Sequence, residues 1–501
     1  MDIAAFVRLL AVGWTLIRAD ALIPREVDAQ LPAGLQALGR VLRLFAGPAA
    51  KQGRPGERLA TALESFGPVA IKLGQVLSTR ADIFGGQFAQ DLSHLKDRLP
   101  PFSTAIAKAE VERELGRPME SLFAAFGEPV AAASIAQAHE ATLLDGRRVA
   151  VKVLRPGIER RVESDSRVMM MVARTIERLI PPARRLEPVL FAKIVVRSLE
   201  LELDLRMEAA GAAEVGQVMA RDAYISAPAV VWDGVGKRVL TLEWASGLPL
   251  SDPATLAAPG LDRRMLADNI IRGFLAQALD HGVFHADLHE GNLFVSAPAH
   301  LTAVDFGIVG RLGATERRFL AEIIYGFITK DYRRVAQVHF DAGYVPKRHD
   351  VDAFAQALRA VGEPVFGRAA SEVSMGRLLA QLFEITALFD MRLRPELVLL
   401  QKTMVTVEGV ARRLYPDHDM WQAADPVVRR WISRELSPVA RAKELADDAV
   451  RAIRAIARLA ETQEVGAATV VAVEPPPSRL VWFALGAAVA GLAGLAGYLL
   501  G

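Results

Sequence analysis

The stretch that decides the fold is HADLHEGNLFVSAPAHLTAVDFG, residues His285–Gly307. It begins with Asp287 and Asn292 in D-x-x-x-x-N spacing and ends with an apolar strand that leads into Asp305 of an Asp-Phe-Gly triplet. In a phosphotransfer loop with this spacing, the aspartate accepts a hydroxyl proton and the asparagine holds a magnesium ion. A carboxylate at the end of the next strand coordinates the metal that bridges nucleotide phosphates.

Two other interpretations compete at this loop. His285 and His289 stand four residues apart with Asp287 between them, which is compatible with a histidine metal hydrolase. A polar loop without chemistry is the simpler alternative. The Asp-Phe-Gly triplet ends an apolar strand thirteen residues after Asn292. That combination favours phosphotransfer, because a histidine metal site leaves the triplet unexplained.

A lysine stands in the β-pattern RVAVKVLRP. Side chains alternate between the faces of a strand, so Val149, Val151 and Val153 share one face and Lys152 lies on the other. A lysine among valines must either reach solvent, as on an edge strand, or meet an anion. The chain has only eleven lysines among its 60 basic residues, which draws attention to this one.

The order of further motifs favours the interpretation that Lys152 meets an anion. Glu208 lies in a segment predicted to be helical over 189–219, fifty-six residues after Lys152, and can hold that lysine against phosphates. LEWASG, residues 242–247, then reads as a hinge ahead of the Asp-Asn loop. Strand lysine, helix glutamate, hinge, Asp-Asn loop and Asp-Phe-Gly follow the order of a protein kinase.

An alanine-rich stretch, AAASIAQAHEA, precedes the lysine strand. Although alanine favours helices, the Asp145-Gly146 turn and the β-formers that follow indicate that the stretch is the turn between the first two strands. In a kinase-like fold this turn lies over the nucleotide phosphates. The predicted nucleotide contacts, beside Lys152, are Ala131, Ala132, Ala133, Ser134, Ile135, Ala136, Gln137, Ala138, Glu243 and Ala245.

Composition excludes several classes of protein. The 501 residues are 51% hydrophobic, which is too apolar for a disordered chain. The 60 basic residues nearly balance the 58 acidic ones, so nothing indicates a nucleic-acid partner. Cysteine is absent, which excludes disulfide scaffolds, thiol nucleophiles and cysteine metal sites.

The C-terminus carries a membrane signal. Residues 480–500 contain no charge, and 21 helical residues span about 30 Å, the thickness of the hydrocarbon core. A buried core helix is the alternative. The basic side upstream predicts a single-pass protein with a cytoplasmic body. At the other end, the amphipathic residues 1–50 suit either a membrane surface or ordinary packing.

We therefore expect an α+β, protein-kinase-like two-lobed fold with an N-terminal helical extension and a C-terminal transmembrane helix. The predicted segments, in order, are the amphipathic region 1–50, the helical extension 51–127, the N-lobe 128–247, the helical C-lobe 248–462, the linker 463–479 and the transmembrane helix 480–500.

Several motifs resemble those of the UbiB/ADCK family of atypical protein-kinase-like proteins. IKLGQVLSTRADIF matches its K-x-G-Q extension motif at Lys72, Gly74 and Gln75, and ELD matches its E-x-D motif at Glu202 and Asp204. AAASIAQAH matches its alanine-rich loop, and HADLHEGN matches its catalytic loop. The family loop is often HADPHPGN, so leucine and glutamate stand here where it has prolines.

The resemblance implies binding of ATP or ADP with Mg²⁺. It also implies that the extension packs across the cleft where a protein substrate would enter. In that picture Lys72 approaches Glu202 and Asp204 and restrains phosphotransfer to proteins. Lys152, Glu208 and Asp287 are the predicted catalytic residues, and the predicted metal ligands are Asn292 and Asp305.

The resemblance further implies a membrane-anchored atypical kinase or ATPase that supports ubiquinone (coenzyme Q) biosynthesis at the bacterial inner membrane. Expected partners are the membrane, quinone precursors and other ubiquinone-biosynthesis proteins; a homodimer is compatible, and no nucleic acid is expected. The alternative is a nucleotide-gated lipid-handling or scaffold protein with little true phosphotransfer.

Overall fold

The structure, a computed structural model, describes most of residues 12–435. The segments left out of that range are 22–24, 26–32, 52, 79–87, 89–90, 93–94, 96–99, 180–183, 185–186, 367–384, 386–387 and 392–394. The chain divides into two compact units, Met1–Ile432 and Ser433–Gly501, and the first holds every residue of the candidate site. The predicted linker and transmembrane helix, residues 463–500, lie outside the described residues. Among the residues that are described, no helix is both long and apolar enough to cross a bilayer.

Four of the α-helices before the first strand have both ends among the described residues. They are α1 (Ala33–Leu42), α2 (Pro55–Phe66), α3 (Pro68–Ser78) and α4 (Thr104–Leu115). Gly67 separates α2 from α3 with φ +97°, a conformation that favours glycine. The side chains of α2 and α3 pack with Leu92 and Leu95 into a small apolar core. The part of the predicted extension that the structure describes is thus helical up to α4.

A four-stranded antiparallel sheet follows, with strand order β1-β2-β3-β4. The strands are β1 (Phe123–Ala132), β2 (Ala136–Leu143), β3 (Arg148–Leu154) and β4 (Val239–Glu243). β1 begins at Phe123, inside the segment predicted as helical extension. The alanine-rich stretch is not helical, as predicted, but the turn covers only Ala133–Ile135 and the rest of the stretch belongs to β1 and β2.

The valine face of β3 builds the core of this sheet. Val149, Val151 and Val153 are fully buried against Val111 of α4, and burial of each contributes about 1.5–3 kcal/mol. Lys152 lies on the opposite face, between Ala138 of β2 and Leu240 of β4. β3 is therefore a central strand, and the edge-strand interpretation of the lysine is wrong.

In the described part of the chain between β3 and β4, three α-helices are present: α5 (Ile158–Leu179), α6 (Pro188–Glu202) and α7 (Leu205–Asp222). The prediction of one helix over 189–219 is wrong at its middle. Asp204 has extended backbone angles (φ −122°, ψ 91°), and its carboxylate accepts a hydrogen bond from the Arg206 amide. It is thus the N-cap of α7, and this capping interaction starts a new helix three residues after α6 ends.

The remaining strands are short and frame the predicted catalytic loop. They are β5 (Leu248–Pro249), β6 (Val283–His285), β7 (Leu293–Ser296), β8 (His300–Ala303) and β9 (Val309–Arg311). They form two small sheets, β5-β7-β8 and β6-β9. The hairpin of β7 and β8 fixes the spacing between the Asp-Asn loop before β7 and Asp305 after β8.

The other described helices complete the α-rich part. They are α8 (Arg263–Ala276), α9 (Ala314–Ile328), α10 (Tyr332–Asp341), α11 (Val351–Phe366), α12 (Pro395–Leu414) and α13 (Met420–Glu435). α10 and α11 pack around Tyr332 and Phe354, whereas α12 packs along α8 and contacts β9. Helix and sheet are mixed as the α+β prediction requires.

Candidate functional site

The site centres on Lys152. Its Nζ lies 2.8 Å from both carboxylate oxygens of Glu208 and 3.6 Å from Oδ1 of Asp305. Glu208 is buried, whereas the Lys152 side chain is 25% exposed and that of Asp305 is 52% exposed. The fold therefore brings together three residues from β3, from α7 and from the loop after β8. The first and the last of them, Lys152 and Asp305, are 153 positions apart in the sequence.

Charge is unevenly balanced around this lysine. Burial lowers the pKa of Lys152, but the carboxylates of Asp305 and Glu208 outweigh burial and raise that pKa above its ordinary value. The pKa of Glu208 is raised, first by burial and then by the nearby Asp305 carboxylate. The Lys152 charge holds the pKa of Asp305 below its usual range. The site thus has two carboxylates and only one ammonium, and this excess of negative charge favours the binding of a further cation.

His285 is a structural part of the loop. Its Nδ1 accepts a hydrogen bond from the Asp287 amide at 3.1 Å, so its Nε2–H donates to the carbonyl of Val304 at 3.1 Å. The ring is fully buried beside Phe306, and burial lowers the pKa of His285. Both ring nitrogens are occupied by backbone groups. The histidine metal hydrolase interpretation is therefore wrong on the geometry of its first ligand.

Asn292 is oriented by the same loop. The side-chain Nδ2 of Asn292 donates to the backbone carbonyl of Asp287 at 3.1 Å, and the backbone carbonyl of Asn292 accepts from the Val304 amide at 2.9 Å. The first bond fixes the amide plane and leaves Oδ1 as the available acceptor. Asp305, one residue after Val304, adopts φ +62° and accepts a hydrogen bond from the Gly307 amide. This positive φ holds the carboxylate in a conformation that is uncommon for a residue other than glycine.

These two residues suit a magnesium ion bound together with a nucleotide. A carboxylate and an amide oxygen are hard ligands, and Mg²⁺ is commonly bound by one or two protein groups plus phosphates and water. Among the described residues, no group of three or more histidine, aspartate or glutamate side chains is arranged to hold a metal alone. The donor set therefore fits a metal whose coordination phosphates complete.

The alanine-rich turn is fixed by Arg155. The Ala133 amide bonds the carbonyl of Ala136, and Arg155 Nε donates to the Ala133 carbonyl at 2.9 Å. Arg155 also donates to the carbonyl of Pro100 at 2.9 Å and lies over the ring of Phe102. No residue of 131–138 has a positive φ, so alanine meets no backbone strain in this turn.

Gln137 ties the same turn to the extension. Its side-chain amide donates to the carbonyl of Phe102 at 3.0 Å and accepts from the Phe102 amide at 2.8 Å, much as a neighbouring strand would. The amide also contacts the buried ring of His139. Because the side chain of Gln137 is bonded to other parts of the protein, only its backbone remains as a predicted nucleotide contact.

The hinge side chains point to protein partners too. Glu243 pairs with Arg147 at 2.8 Å, and the guanidinium of Arg148 lies 4.8 Å from the ring centre of Trp244. Ala245 is half-buried in the connection that follows β4. Nucleotide contacts at Glu243 and Ala245 stay predictions, and they would have to come from the backbone at Glu243.

The extension reaches the site through Lys72. This lysine, on α3, is buried and forms an ion pair with Glu202 at the end of α6. Asp204 pairs with Arg206 instead, in addition to its capping role. Gly74 permits close packing, because a Cβ there would lie 2.2 Å from a methyl group of Leu95. Gln75 is half-buried, and its carbonyl accepts from the Ser78 hydroxyl.

Two residues near the site were missed from the sequence. Arg155 is one, and Lys402 of α12 is the other, with its Nζ 3.6 Å from Oδ1 of Asp287. The neighbouring Thr403 hydroxyl donates to the Ala286 carbonyl at 3.0 Å. The scarcity of lysine was a usable signal for Lys402, which stands in the apolar run LVLLQKTMV. For Arg155 there was no such signal.

Comparison with known proteins agrees with this geometry. The family model of the ABC1 atypical kinase-like domain matches residues 94–339, and that of the UbiB helical domain matches residues 358–419. A Marinobacter nauticus protein named "Probable protein kinase UbiB" is 39% identical over 445 residues, covering 87% of this chain and 81% of that protein. A Pseudomonas aeruginosa protein of the same name is 40% identical over 446 residues, covering 87% and 83%.

A solved structure shares the fold. The Mycobacterium tuberculosis protein Rv3197, determined as a complex with erythromycin, superposes with a TM-score of 0.54 at 21% identity. The match covers 79% of this chain and 98% of that protein. The kinase-like fold predicted from the motif order is confirmed.

Proposed function

The chain belongs to the UbiB family of atypical kinase-like proteins, and from this premise we propose that it binds ATP or ADP with Mg²⁺ and cleaves or transfers the terminal phosphate. The observation that carries the proposal is the position of Lys152, 2.8 Å from Glu208 and 3.6 Å from Asp305. A lysine held in this way keeps its positive charge at a fixed position. Phosphoryl transfer depends mainly on such positioning and charge stabilisation, and little on covalent chemistry by the protein.

Each residue then has a distinct task. Lys152 donates to oxygens of the α- and β-phosphates, and Glu208 keeps its ammonium in place. Asp305 and Asn292 Oδ1 would hold the magnesium ion, which supplies charge neutralisation on the phosphates when bound. The available acceptor on Asn292 and the excess of carboxylates over Lys152 support this assignment.

Asp287 orients the attacking group. In the reaction, the bond from the γ-phosphorus to the acceptor oxygen forms, and its bond to the bridging oxygen of ADP breaks. The acceptor proton passes to Asp287, and the electron pair of the broken bond stays on ADP. The Asp287 amide donates to His285 and its backbone carbonyl accepts from Asn292, so the loop positions this residue through its backbone, while Oδ2 of its carboxylate lies 3.6 Å from Nε2 of His289.

A second function is favoured by one contact. The buried Lys72–Glu202 pair ties the extension to the end of α6, three residues before the start of the helix that carries Glu208. An extension held this way supports restricted access for protein substrates, and hence either ATP hydrolysis or a nucleotide-gated lipid-handling or scaffold role. An Asp287→Asn variant that still binds nucleotide separates them. If it restores ubiquinone in a deletion strain, the scaffold role is correct.

We further propose that the protein is anchored at the bacterial inner membrane and supports ubiquinone biosynthesis, with quinone precursors and other enzymes of that pathway as partners. The uncharged residues 480–500 support anchoring. Large apolar side chains exposed at the N-terminal end, among them Trp14, Leu44 and Phe45, support contact with the membrane surface. Fractionation of full-length protein and of protein truncated before residue 463 tests the anchor.

The first experiment on the proposed function is thermal unfolding of the full chain with ATP, ADP or neither, each with and without Mg²⁺. We expect stabilisation that requires the metal. Absence of any nucleotide effect in the wild-type protein would remove the proposal.

A further inference from the structure

Lys402 lies beside the proposed base on a helix from outside the kinase-like domain. Its Nζ is 3.6 Å from Oδ1 of Asp287, and its side chain is 33% exposed. Within the part of the chain that the structure describes, this is the one ion pair of Lys402. A separation of 3.6 Å is longer than a direct hydrogen bond, so the three donors of the ammonium are not committed to that carboxylate.

Two anchors fix α12 against the catalytic loop on either side of Asp287. On one side, the buried Thr403 hydroxyl lies 3.0 Å from the Ala286 carbonyl and shares its proton between that carbonyl and the Leu399 carbonyl of its own helix, at 2.8 Å. On the other, Arg413 forms an ion pair with Glu290, the residue that stands where the family loop often has proline. Lys402 therefore extends from a helix that is held at two points, and its position beside Asp287 is defined by more than its own ion pair.

Stability does not explain this lysine. An ion pair that is partly exposed and loosely spaced adds little to stability, because solvent screens it and side-chain entropy opposes it. Thr403 and Arg413 already hold α12 in place. What Lys402 adds is a positive charge at the one carboxylate of the site that Lys152 does not contact, since Lys152 is shared between Glu208 and Asp305.

We propose that Lys402 binds the terminal phosphate of the nucleotide, on the side of the acceptor. This rests on the function proposed above. During transfer, negative charge spreads over the outer oxygens of the moving phosphoryl group, and a fixed ammonium beside the base stabilises that charge. Lys152 serves the α- and β-phosphates, and Lys402 serves the γ-phosphate. The helical domain thereby contributes a substrate-binding residue to the kinase-like domain.

The assignment predicts a difference between ATP and ADP. In Lys402→Met and Lys402→Gln proteins, stabilisation by Mg·ADP stays at the wild-type value, whereas stabilisation by Mg·ATP falls to that of ADP. The kcat for phosphate release falls about 100-fold, as on loss of one charge-stabilising donor. Lys402→Arg, which keeps the charge, recovers at least tenfold of that loss. The ligand-free Tm changes by no more than about 2 °C, given the weak ion pair.

Lys108→Met is the matched control, since Lys108 is an exposed lysine on α4, away from the loop. If Lys402→Met equals this control in kcat and in both nucleotide shifts, the inference is overturned. It is also overturned if ATP and ADP stabilisation fall together with the ligand-free Tm, because that is the signature of a structural tie. A wild-type protein without any nucleotide shift fails the proposed function itself. If the wild-type protein shows a nucleotide-dependent Tm shift that Asp305→Asn abolishes and Lys402→Met retains, only this inference is overturned and the proposed function stands.

Discussion

Replacing Asp305 with asparagine removes the proposed metal ligand while keeping the shape of the side chain. Asparagine tolerates the φ of +62° at this position, so the backbone is not strained by the change. The Lys152–Glu208 pair is retained, but the attraction between Lys152 and the Asp305 carboxylate is lost. In return, Glu208, whose pKa is raised first by burial and then by Asp305, no longer faces that second carboxylate. Because these two changes oppose each other, we expect the ligand-free protein to unfold close to the wild-type temperature.

The size of the nucleotide effect follows from the size of the folded unit. For the unit Met1–Ile432, an unfolding entropy of about 2.1 cal/mol/K per residue gives about 0.9 kcal/mol/K. A nucleotide at 100 times its Kd stabilises by about 2.7 kcal/mol, which raises the wild-type Tm by about 3 °C. Loss of a metal ligand weakens binding at least ~100-fold, so the same concentration shifts the variant by less than about 0.5 °C.

The assay is differential scanning fluorimetry with Mg·ATP and Mg·ADP, alongside phosphate release. Asp390→Asn is a matched control, because Asp390 also has a positive φ and is 53% exposed, but pairs with Arg348 away from the site. The control should keep the full nucleotide shift. A Mg²⁺-dependent shift of equal size in the Asp305→Asn and wild-type proteins would refute the role of Asp305, as would ATP hydrolysis at the wild-type rate.

Three further outcomes are expected. Lys72→Met removes the buried ammonium that pairs with Glu202, so urea unfolding should show a loss of about 1–3 kcal/mol while phosphate release accelerates; an unchanged rate argues against restraint by the extension. Arg155→Met removes one side-chain hydrogen bond to the alanine-rich turn, at Ala133, and one to Pro100, so amide hydrogen exchange in the turn should speed up; unchanged protection counts against Arg155 as the residue that fixes it. Burial lowers the pKa of His285, so below about pH 6.5 the unfolded state binds more protons and the Tm falls toward pH 5.5, less steeply in His285→Phe; equal slopes contradict this.

The centre of the site was predictable because its residues are few, polar and ordered along the chain. Lys152 interrupts a valine strand, and Asp287, Asn292 and Asp305 share one short stretch whose spacing has a known chemical reason. Glu208 followed from its place in that order. The structure brings Lys152, Glu208 and Asp305 together as those motifs require.

The supports of the site were less predictable. The helix pattern over 189–219 runs across Leu203 and Asp204 without a change of period, and only the N-cap geometry of Asp204 reveals the break. Lys402 contacts Asp287 from 115 residues away, and no local pattern records such a contact. Gln137 carries a signal for a polar partner, but the partner is the backbone of Phe102, which any residue type supplies.

The break at Asp204 has a consequence for how sequences of this kind can diverge. Glu202 ends one helix and Glu208 belongs to the next, so a residue inserted within α6 rotates Glu202 by about 100° and leaves Glu208 in register with its own N-cap. An insertion between Asp204 and Glu208 instead rotates Glu208 and leaves Glu202 in place. In one continuous helix, any insertion between them would have changed their relative direction. The contact of Glu202 with the extension and the contact of Glu208 with Lys152 can therefore change independently of each other as sequences diverge.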